Sequence, residues 1–257
     1  MQQNSPINQA ENAVPSAQDS PKVSLVIPVY NEEGNIVTLV AEIQAAMTRQ
    51  PRSWEALFVD DGSNDQSLAR IRAAAAADSR LRYAALAANS GQSAALFAGF
   101  QEAGGEILVT LDADLQNDPA DIPLLLELFD QGYDMTIGVR ARRQDSAVKK
   151  IASKIANAIR NRLTHEEVSD TGCSLKAMRA SMVRRLPLFR GMHRFLPTLM
   201  KMQGAKVAEA PVNHRPRLQG ISKYGVWDRA FSGLYDLLAV RWMQKRNIYG
   251  CKIKERG

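Results

Sequence analysis

The stretch EILVTLDADLQNDPADI, residues 106–122, joins an apolar run to two aspartates that stand one residue apart. The apolar run is typical of a buried β-strand, and Asp112 and Asp114 follow at its end. A buried carboxylate is costly unless a cation or hydrogen-bond donors compensate its charge. The stretch therefore predicts a cation at the end of this strand.

The aspartate pair has the chemistry of a metal site. Side chains alternate along a strand, so a strand that extends through Asp114 points both carboxylates the same way, with Gln116 two residues further on. Two carboxylates and an amide supply the hard oxygen ligands that Mg²⁺ and Mn²⁺ prefer. The alternative is an acidic loop that caps the next helix, and Asp118 before Pro119 suits that role. Asp112 and Asp114 lie too early to cap that helix.

Strand and helix patterns alternate along the first half of the chain. Runs typical of strands occur at 22–30, 54–63, 81–87 and 133–140, and segments with helical spacing of apolar residues separate them. This alternation predicts an open, largely parallel α/β sheet with right-handed crossovers. Such sheets bind ligands outside the carboxyl ends of their strands. Four acids fall there: Asp60, Asp61, Asp112 and Asp114.

The second strand ends in VDDGS, which is suited to a nucleotide. Asp60 and Asp61 can accept hydrogen bonds from a base or a ribose, although a turn is the alternative, since turns favour Asp and Gly. The chain has neither G-x-G-x-x-G after the first strand nor G-x-x-x-x-G-K-[ST] anywhere. Dinucleotide oxidoreductases and P-loop enzymes are therefore disfavoured, because their phosphate-binding glycines are missing. Acids and a metal would have to hold a nucleotide here.

The first strand ends in IPVYNEE. We expect Pro28 to break this strand, Tyr30 to offer a flat face to a base, and Glu32 to accept from a base or sugar. Helix entry with Asn31 as the N-cap is compatible with these roles.

The bulk composition favours an anionic partner. The net charge is +6 and the isoelectric point is about 9.4, which suits a nucleotide, a phospholipid surface or nucleic acid. Cys173 and Cys251 are the only cysteines, so a reducing cytoplasm is the default. No uncharged apolar run is long enough to predict a transmembrane helix. Residues 1–21 are polar, lack the features of a secretory signal and predict a disordered tail.

Two later segments are suited to a membrane surface. Residues 140–162 carry eight basic side chains against the single acid Asp145, and a solvated helix face is the alternative reading. The segment 224–246 places an apolar stripe on one predicted helix face and ends in two basic residues. That stripe packs in a core by default, but it also suits a helix in the headgroup region or one buried in a partner subunit. Its members are Trp227, Phe231, Leu234, Tyr235, Leu238 and Trp242.

Six segments in this order resemble glycosyltransferase family 2, in its polyprenyl-phosphate branch of dolichol-phosphate mannose synthases and bacterial undecaprenyl-phosphate sugar transferases. They are SLVIPVYNEEGNI, FVDDGSNDQS, NSGQSAALFAGF, LDADLQNDP, VSDTGCSLKAMR and VNHRPRLQGISKYG. The resemblance implies a GT-A fold, a nucleotide-diphosphate-sugar donor and a polyprenyl-phosphate acceptor. It divides the chain into a tail at 1–21, a glycosyltransferase domain at 22–222, and an interface helix with a basic tail at 223–257.

The resemblance also implies roles for individual residues. Asp112, Asp114 and Gln116 match the ligands of a divalent metal, Mg²⁺ or Mn²⁺. The nucleotide-lining positions are Pro28, Tyr30, Glu32, Asp60 or Asp61, and Asp112, with Arg217 and Lys223 on a loop that closes over the diphosphate. Arg140, Lys149 and Ser153 match the acceptor-phosphate site and join Asp114 as the predicted catalytic set.

A lipid-phosphate acceptor makes the expected chemistry simple. Its oxygen is already anionic, so no strong general base is needed, and His165, His193 and His214 have no triad or metal-ligand spacing. We expect one displacement that inverts the anomeric carbon, catalysed by an enzyme that is peripheral on the cytoplasmic face of the membrane.

Two alternatives remain open at this stage. The same fold could serve a soluble glycan or protein acceptor, and the basic composition alone would suit a nucleic-acid-binding protein. The sugar, the base and the polyprenol are not determined by the sequence.

Overall fold

The computed structural model describes residues 22–140, 158, 161–164, 168–216, 226–248 and 255. Its strands are β1 Val23–Val29, β2 Trp54–Asp60, β3 Leu81–Ala85, β4 Ile107–Thr110, β5 Met135–Arg140, β6 Lys176–Arg179 and β7 Val207–Val212. Its α-helices are α1 Ile36–Met47, α2 Ser67–Ala77, α3 Gln92–Glu102, α4 Ile122–Asp130, α5 Ala180–Val183, α6 Leu196–Met202 and α7 Val226–Lys245. Short 3₁₀ helices occur at Pro119–Asp121 and Met192–Arg194.

The strands of the described residues form one sheet in the order β3-β2-β1-β4-β6-β5-β7. Only β6 runs against its neighbours; every other adjacent pair is parallel. The predicted α/β class with a largely parallel sheet is therefore confirmed. The sequence reading did not anticipate β6 or β7, and β6 is only four residues long.

Helices cover both faces of the sheet, which explains why the central strands β1, β2 and β4 are buried along nearly their whole length. On one face, Val23, Leu25 and Ile27 of β1 pack in a core with α1 and α4. On the other face, Val26 joins a second core that includes α3, α6 and buried residues of α7.

Two predictions about the first strand are wrong. Pro28 does not break β1, because Pro28 is in register with Val59 and the strand continues to Val29. The carbonyl of Val26 accepts from the N–H of Leu111, the residue after β4, so by alternation the missing N–H of Pro28 also faces that side, where the pairing with β4 has already ended. Asn31 is not the N-cap, since α1 begins at Ile36 and Asn31 has a positive φ of 54° in a turn.

The last helix presents an apolar face to solvent. Leu237 and Val240 bury themselves in the second core, whereas Tyr235 is 77% exposed and Trp242 is 63% exposed. Leu234 and Leu238 belong to the same exposed face. Core packing, the default expectation for this stripe, is therefore wrong for these four side chains. Among the described residues, no helix is both long and apolar enough to cross a membrane.

Candidate active site

Three parallel strands bring the predicted acids to one edge of the sheet. β1 lies between β2 and β4, so their carboxyl ends lie side by side. Asp60 is the last residue of β2, Asp61 follows it, and Asp112 comes two residues after β4 ends. The predicted placement of these acids at the carboxyl edge is confirmed.

The aspartate pair lies on a loop and not on a strand. β4 ends at Thr110, whose hydroxyl donates to the Ser174 carbonyl at 2.6 Å, and the chain then turns. The expectation that the strand extends through Asp114 is wrong, so alternation does not orient the pair. Specific contacts do: Gln92 Nε2 donates to Asp112 Oδ1 at 2.8 Å, and the Gln116 N–H donates to Asp114 Oδ1 at 3.1 Å.

These residues fit a divalent cation by their donor chemistry. Asp112 is half-buried and Asp114 is 9% exposed. Both carboxylates are therefore partly shielded from water, although solvent lies nearby. Within the described part of the chain, no three His, Cys, Asp or Glu side chains cluster as a complete metal site. Two carboxylates with the Gln116 amide would leave positions for substrate oxygens, as Mg²⁺ sites commonly do.

Asp60 and Asp61 are neighbours with different surroundings. The Asp61 carboxylate accepts from the backbone of Ser90 at 2.8 Å and of Gly91 at 2.9 Å, and from Asn89 Nδ2 at 3.0 Å. Asp61 therefore holds the loop that leads into α3.

Asp60 is 1% exposed, and its two carboxylate oxygens differ in their partners. Its Oδ2 accepts from the Ser63 N–H at 3.1 Å, and its Oδ1 has no hydrogen-bond partner among the described residues. A buried carboxylate oxygen without a donor is unusual in a folded protein, which makes this atom a candidate ligand contact.

Gly62 allows the two loops at this edge to approach closely. It has a φ of 69°, and a Cβ at this position would lie 2.7 Å from the Asn89 nitrogen. The turn that was the alternative for VDDGS is thus formed by Gly62 and Asp61, and a ligand-binding role of Asp60 stays a prediction.

Tyr30 and Glu32 lie on the loop after β1 at the same edge, and both are half-buried. Glu32 Oε2 accepts from Asn35 Nδ2 at 2.7 Å, so this carboxylate already orders the turn before α1. A contact of either residue with a nucleotide stays a prediction.

Arg140, the last residue of β5, is held in a fixed position at this edge. Its Nε and Nη2 donate to the two carboxylate oxygens of Asp170 at 2.6 and 2.7 Å, and both side chains are largely buried. Gly172 leaves room for the guanidinium, because a Cβ there would lie 2.9 Å from Arg140 Nη2. Lys149 and Ser153, the other predicted acceptor-phosphate residues, lie outside the described residues.

The segment after β7 returns to the aspartate loop. Asn117 and His214 form an antiparallel bridge, and the Arg215 N–H donates to the Gln116 carbonyl at 2.8 Å. The Arg215 side chain also pairs with Asp118 at 2.6 Å. Asp118 caps the 3₁₀ turn by accepting from the Ala120 N–H at 3.0 Å, as predicted. Arg217 and Lys223 lie outside the described residues, but the chain leading to them is fixed beside Gln116.

The sequence reading gave no role to three residues of this site: Gln92, Asp170 and Lys176. Lys176 is 3% exposed, and burial lowers its pKa. The sequence did contain a sign of this buried lysine, because Lys176 interrupts the apolar run of SLKAM. Asp170 and Gln92 gave no comparable signal, since an Asp before Thr-Gly and a Gln at a helix start are ordinary in turns and caps.

Comparison with known proteins defines the class. The profile of "Glycosyl transferase family 2" matches residues 24–186. The chain belongs to this family, and its fold is that of the GT-A glycosyltransferases.

Among the relatives are two polyprenyl-phosphate sugar transferases. The dodecaprenyl-phosphate galacturonate synthase of Rhizobium johnstonii is 39% identical over 229 residues, which are 87% of this chain and 68% of the relative. The undecaprenyl-phosphate 4-deoxy-4-formamido-L-arabinose transferase of Pectobacterium atrosepticum is 42% identical over 222 residues, 86% of this chain and 67% of the relative. The chain thus spans about two thirds of the length of these enzymes.

A more distant solved structure shares the fold. Glucosyl-3-phosphoglycerate synthase from Mycobacterium tuberculosis, in complex with Mn²⁺, UDP and phosphoglyceric acid, superposes with a TM-score of 0.65. It is 18% identical, and the match covers 91% of this chain and 80% of that one. The same enzyme has been solved with Mg²⁺ and UDP.

Proposed function

We propose that this protein transfers a sugar from a nucleotide-diphosphate-sugar to a polyprenyl phosphate and inverts the anomeric carbon. The observation that carries the proposal is that one sheet edge holds both the carboxylates of Asp112 and Asp114 and the fixed guanidinium of Arg140. A donor diphosphate needs a cation bound by Asp112 and Asp114, and an acceptor phosphate needs the guanidinium of Arg140. Both relatives named above are polyprenyl-phosphate sugar transferases, which supports the same acceptor here.

The step is a single displacement. An acceptor phosphate oxygen forms a bond to the anomeric carbon, the bond from that carbon to the diphosphate oxygen breaks, and the diphosphate retains the electron pair. Arg140 places the attacking oxygen, and Lys149 and Ser153 are proposed to assist it.

A divalent cation, when bound, supplies charge neutralisation of the departing diphosphate. Asp112, Asp114 and Gln116 would hold it, and Gln92 keeps Asp112 in place. Arg217 and Lys223 are proposed to cover the diphosphate, because residues 213–216 lead the chain to the aspartate loop.

We propose uridine as the nucleoside of the donor. Asp60 Oδ1 is a single buried acceptor, and Oδ2 already accepts from the Ser63 N–H. Uracil presents one imide N–H, which one oxygen can satisfy, whereas guanine presents two adjacent donors that suit both oxygens of a carboxylate. Tyr30 and Pro28, at the end of β1, are proposed to line the base.

We propose that the exposed face of α7 docks on the cytoplasmic surface of an anionic membrane. Leu234, Tyr235, Leu238 and Trp242 form this face, and Lys245 and Arg246 follow it. Apolar side chains beside basic residues suit the headgroup boundary, where the acceptor lipid is found.

The transfer itself is tested with undecaprenyl phosphate in detergent, Mn²⁺ and radiolabelled UDP-sugars, with GDP-mannose in parallel. The proposal expects label in the organic-extractable product with a UDP-sugar and an inverted anomeric linkage by NMR. Label that remains in the aqueous phase, or that moves to a soluble glycan, would refute the acceptor. Transfer from GDP-mannose alone would refute only the uridine assignment.

Membrane docking is tested by sedimentation with anionic and neutral vesicles. The double variant Leu238→Ser, Trp242→Ser should lose binding to anionic vesicles while its melting temperature stays unchanged, because both side chains are exposed. Unchanged vesicle binding would refute the docking surface. A change from dimer to monomer in sedimentation velocity would instead assign this face to a second copy of the chain.

A further inference from the structure

Lys176 lies inside the sheet, on the strand that separates β4 from β5. It is the first residue of β6 and is in register with Thr110 of β4 on one side and Ile137 of β5 on the other. Thr110 stands two residues before Asp112, and Arg140 is three residues beyond Ile137. Lys176 therefore lies between the strand ends that carry the donor-side carboxylate and the acceptor-side guanidinium.

The Lys176 ammonium forms no close ion pair within the described residues. Its Nζ donates to the Cys173 carbonyl. Burial lowers its pKa, the charges of Asp112 and Asp170 oppose that shift, and Arg140 adds to it. Lys176 therefore lies close enough to Asp112 and Asp170 for their charges to act on its ammonium.

The charged side chains near Lys176 can be summed to see what a bound divalent cation would change. Arg140 and Asp170 neutralise each other in their two-bond pair. Asp112 and Asp114 carry two negative charges, and Lys176, when protonated, adds one positive charge in a poorly hydrated position. A lone divalent cation would leave these charges net positive, whereas a cation with a nucleotide diphosphate would leave them net negative. Electrostatic interactions of buried charges are weakly screened, so this difference is felt at the site.

We propose that Lys176 is a positioning residue that acts through Asp112, weakening the binding of a lone divalent cation and favouring binding of the cation together with a nucleotide diphosphate. The inference rests on the proposed metal and nucleotide function and deepens it. The metal then enters with the nucleotide and leaves with it, and the empty site does not retain a cation that would capture the acceptor phosphate unproductively.

The test compares Lys176→Met, which keeps length and loses charge, with Lys176→Arg, which keeps charge. Mn²⁺ binding to the full chain is measured by electron paramagnetic resonance without nucleotide, and UDP binding is measured by calorimetry in saturating Mn²⁺. We expect Lys176→Met to bind Mn²⁺ alone more tightly and UDP with Mn²⁺ more weakly, each on the order of tenfold. Lys176→Arg should resemble the unaltered protein in both measurements.

The proposal expects Lys176→Met to strengthen Mn²⁺ binding and to weaken UDP binding, whereas simple structural damage would weaken both. If Lys176→Met weakens both bindings together, or leaves both unchanged, the inference is wrong. Lys206→Met, which removes an exposed lysine just before β7 at the far edge of the sheet, is the matched control and should change neither. Asp112→Asn distinguishes the two proposals: if it leaves Mn²⁺ binding unchanged, the proposed metal site itself fails. Circular dichroism and melting curves establish that each variant is folded.

Discussion

The two acidic strand ends of this sheet look alike in sequence and differ in structure. After β2, the Asp61 carboxylate accepts hydrogen bonds from the backbone of the loop before α3. Of this pair, only Asp60 keeps an oxygen without a partner in the described residues. After β4, Asp112 and Asp114 are each oriented by a neighbouring amide. The first pair combines a structural and a candidate ligand residue, whereas both members of the second are candidate ligands.

This difference shows what an acidic motif at a strand end does and does not determine. The edge of a parallel sheet collects such residues because the strands end there. Whether a carboxylate serves the protein or a ligand depends on how many backbone N–H groups surround it. Four variants test such roles, and they follow in order of expected effect.

The largest effect is expected from Asp112→Asn combined with Asp114→Asn. Removing both charges should lower sugar transfer by at least about 10³-fold, because the diphosphate loses the cation that neutralises it. The melting temperature should change little, since both residues lie on the loop after β4 and outside the strands. Initial rates of lipid-linked product in Mn²⁺ measure the effect, with Asp130→Asn, an exposed acid far from the site, as the control. Full activity of the double variant in excess chelator would contradict the metal assignment.

Asp170→Asn should affect both stability and the acceptor half of the site. It removes the carboxylate that accepts two hydrogen bonds from the buried Arg140 guanidinium, which we expect to cost about 3 kcal/mol in the free energy of unfolding. Arg140 also loses its fixed orientation, so KM for the polyprenyl phosphate should rise more than KM for the donor. Denaturant unfolding and steady-state kinetics measure the two effects.

The matched control for this pair is Asp134→Asn, at the opposite end of the same strands. Asp134 pairs with Arg179, whose side chain is 46% exposed, so its loss should cost less than about 1 kcal/mol. Equal destabilisation by Asp134→Asn and Asp170→Asn would show that burial of the Arg140 pair has no special role.

Much of the fold could be predicted from the sequence, because the period of apolar residues records which faces are buried. Pro28 and the end of β4 could not be placed, since each depends on which neighbouring strand still pairs at that point. Asp112 and Asp60 were found as candidates from residue type and position. Asp170 was missed because its role exists only when β5 and the segment before β6 meet.

Asp61→Asn is expected to destabilise the protein without affecting nucleotide recognition. Its carboxylate accepts hydrogen bonds at both oxygens, and an amide can accept at only one, so about 2 kcal/mol should be lost in the free energy of unfolding. UDP binding, measured well below the melting temperature, should remain near its original value. A variant with unchanged stability and weakened UDP binding would reverse the roles given to Asp60 and Asp61.

Asp60→Asn should give the smallest change in stability and a selective change in binding. The Asn side-chain oxygen can still accept from the Ser63 N–H, and Oδ1 loses no partner because it has none among the described residues. The amide nitrogen that replaces Oδ1 cannot accept from uracil N3–H, so UDP affinity should fall about tenfold. It can donate to cytosine N3, so the preference for UDP over CDP should narrow or invert. Calorimetry with both nucleotides in Mn²⁺ measures this ratio. If the ratio is unchanged, Asp60 does not contact the base. Asp60 and Asp61 would then differ only in how much each contributes to the stability of the fold.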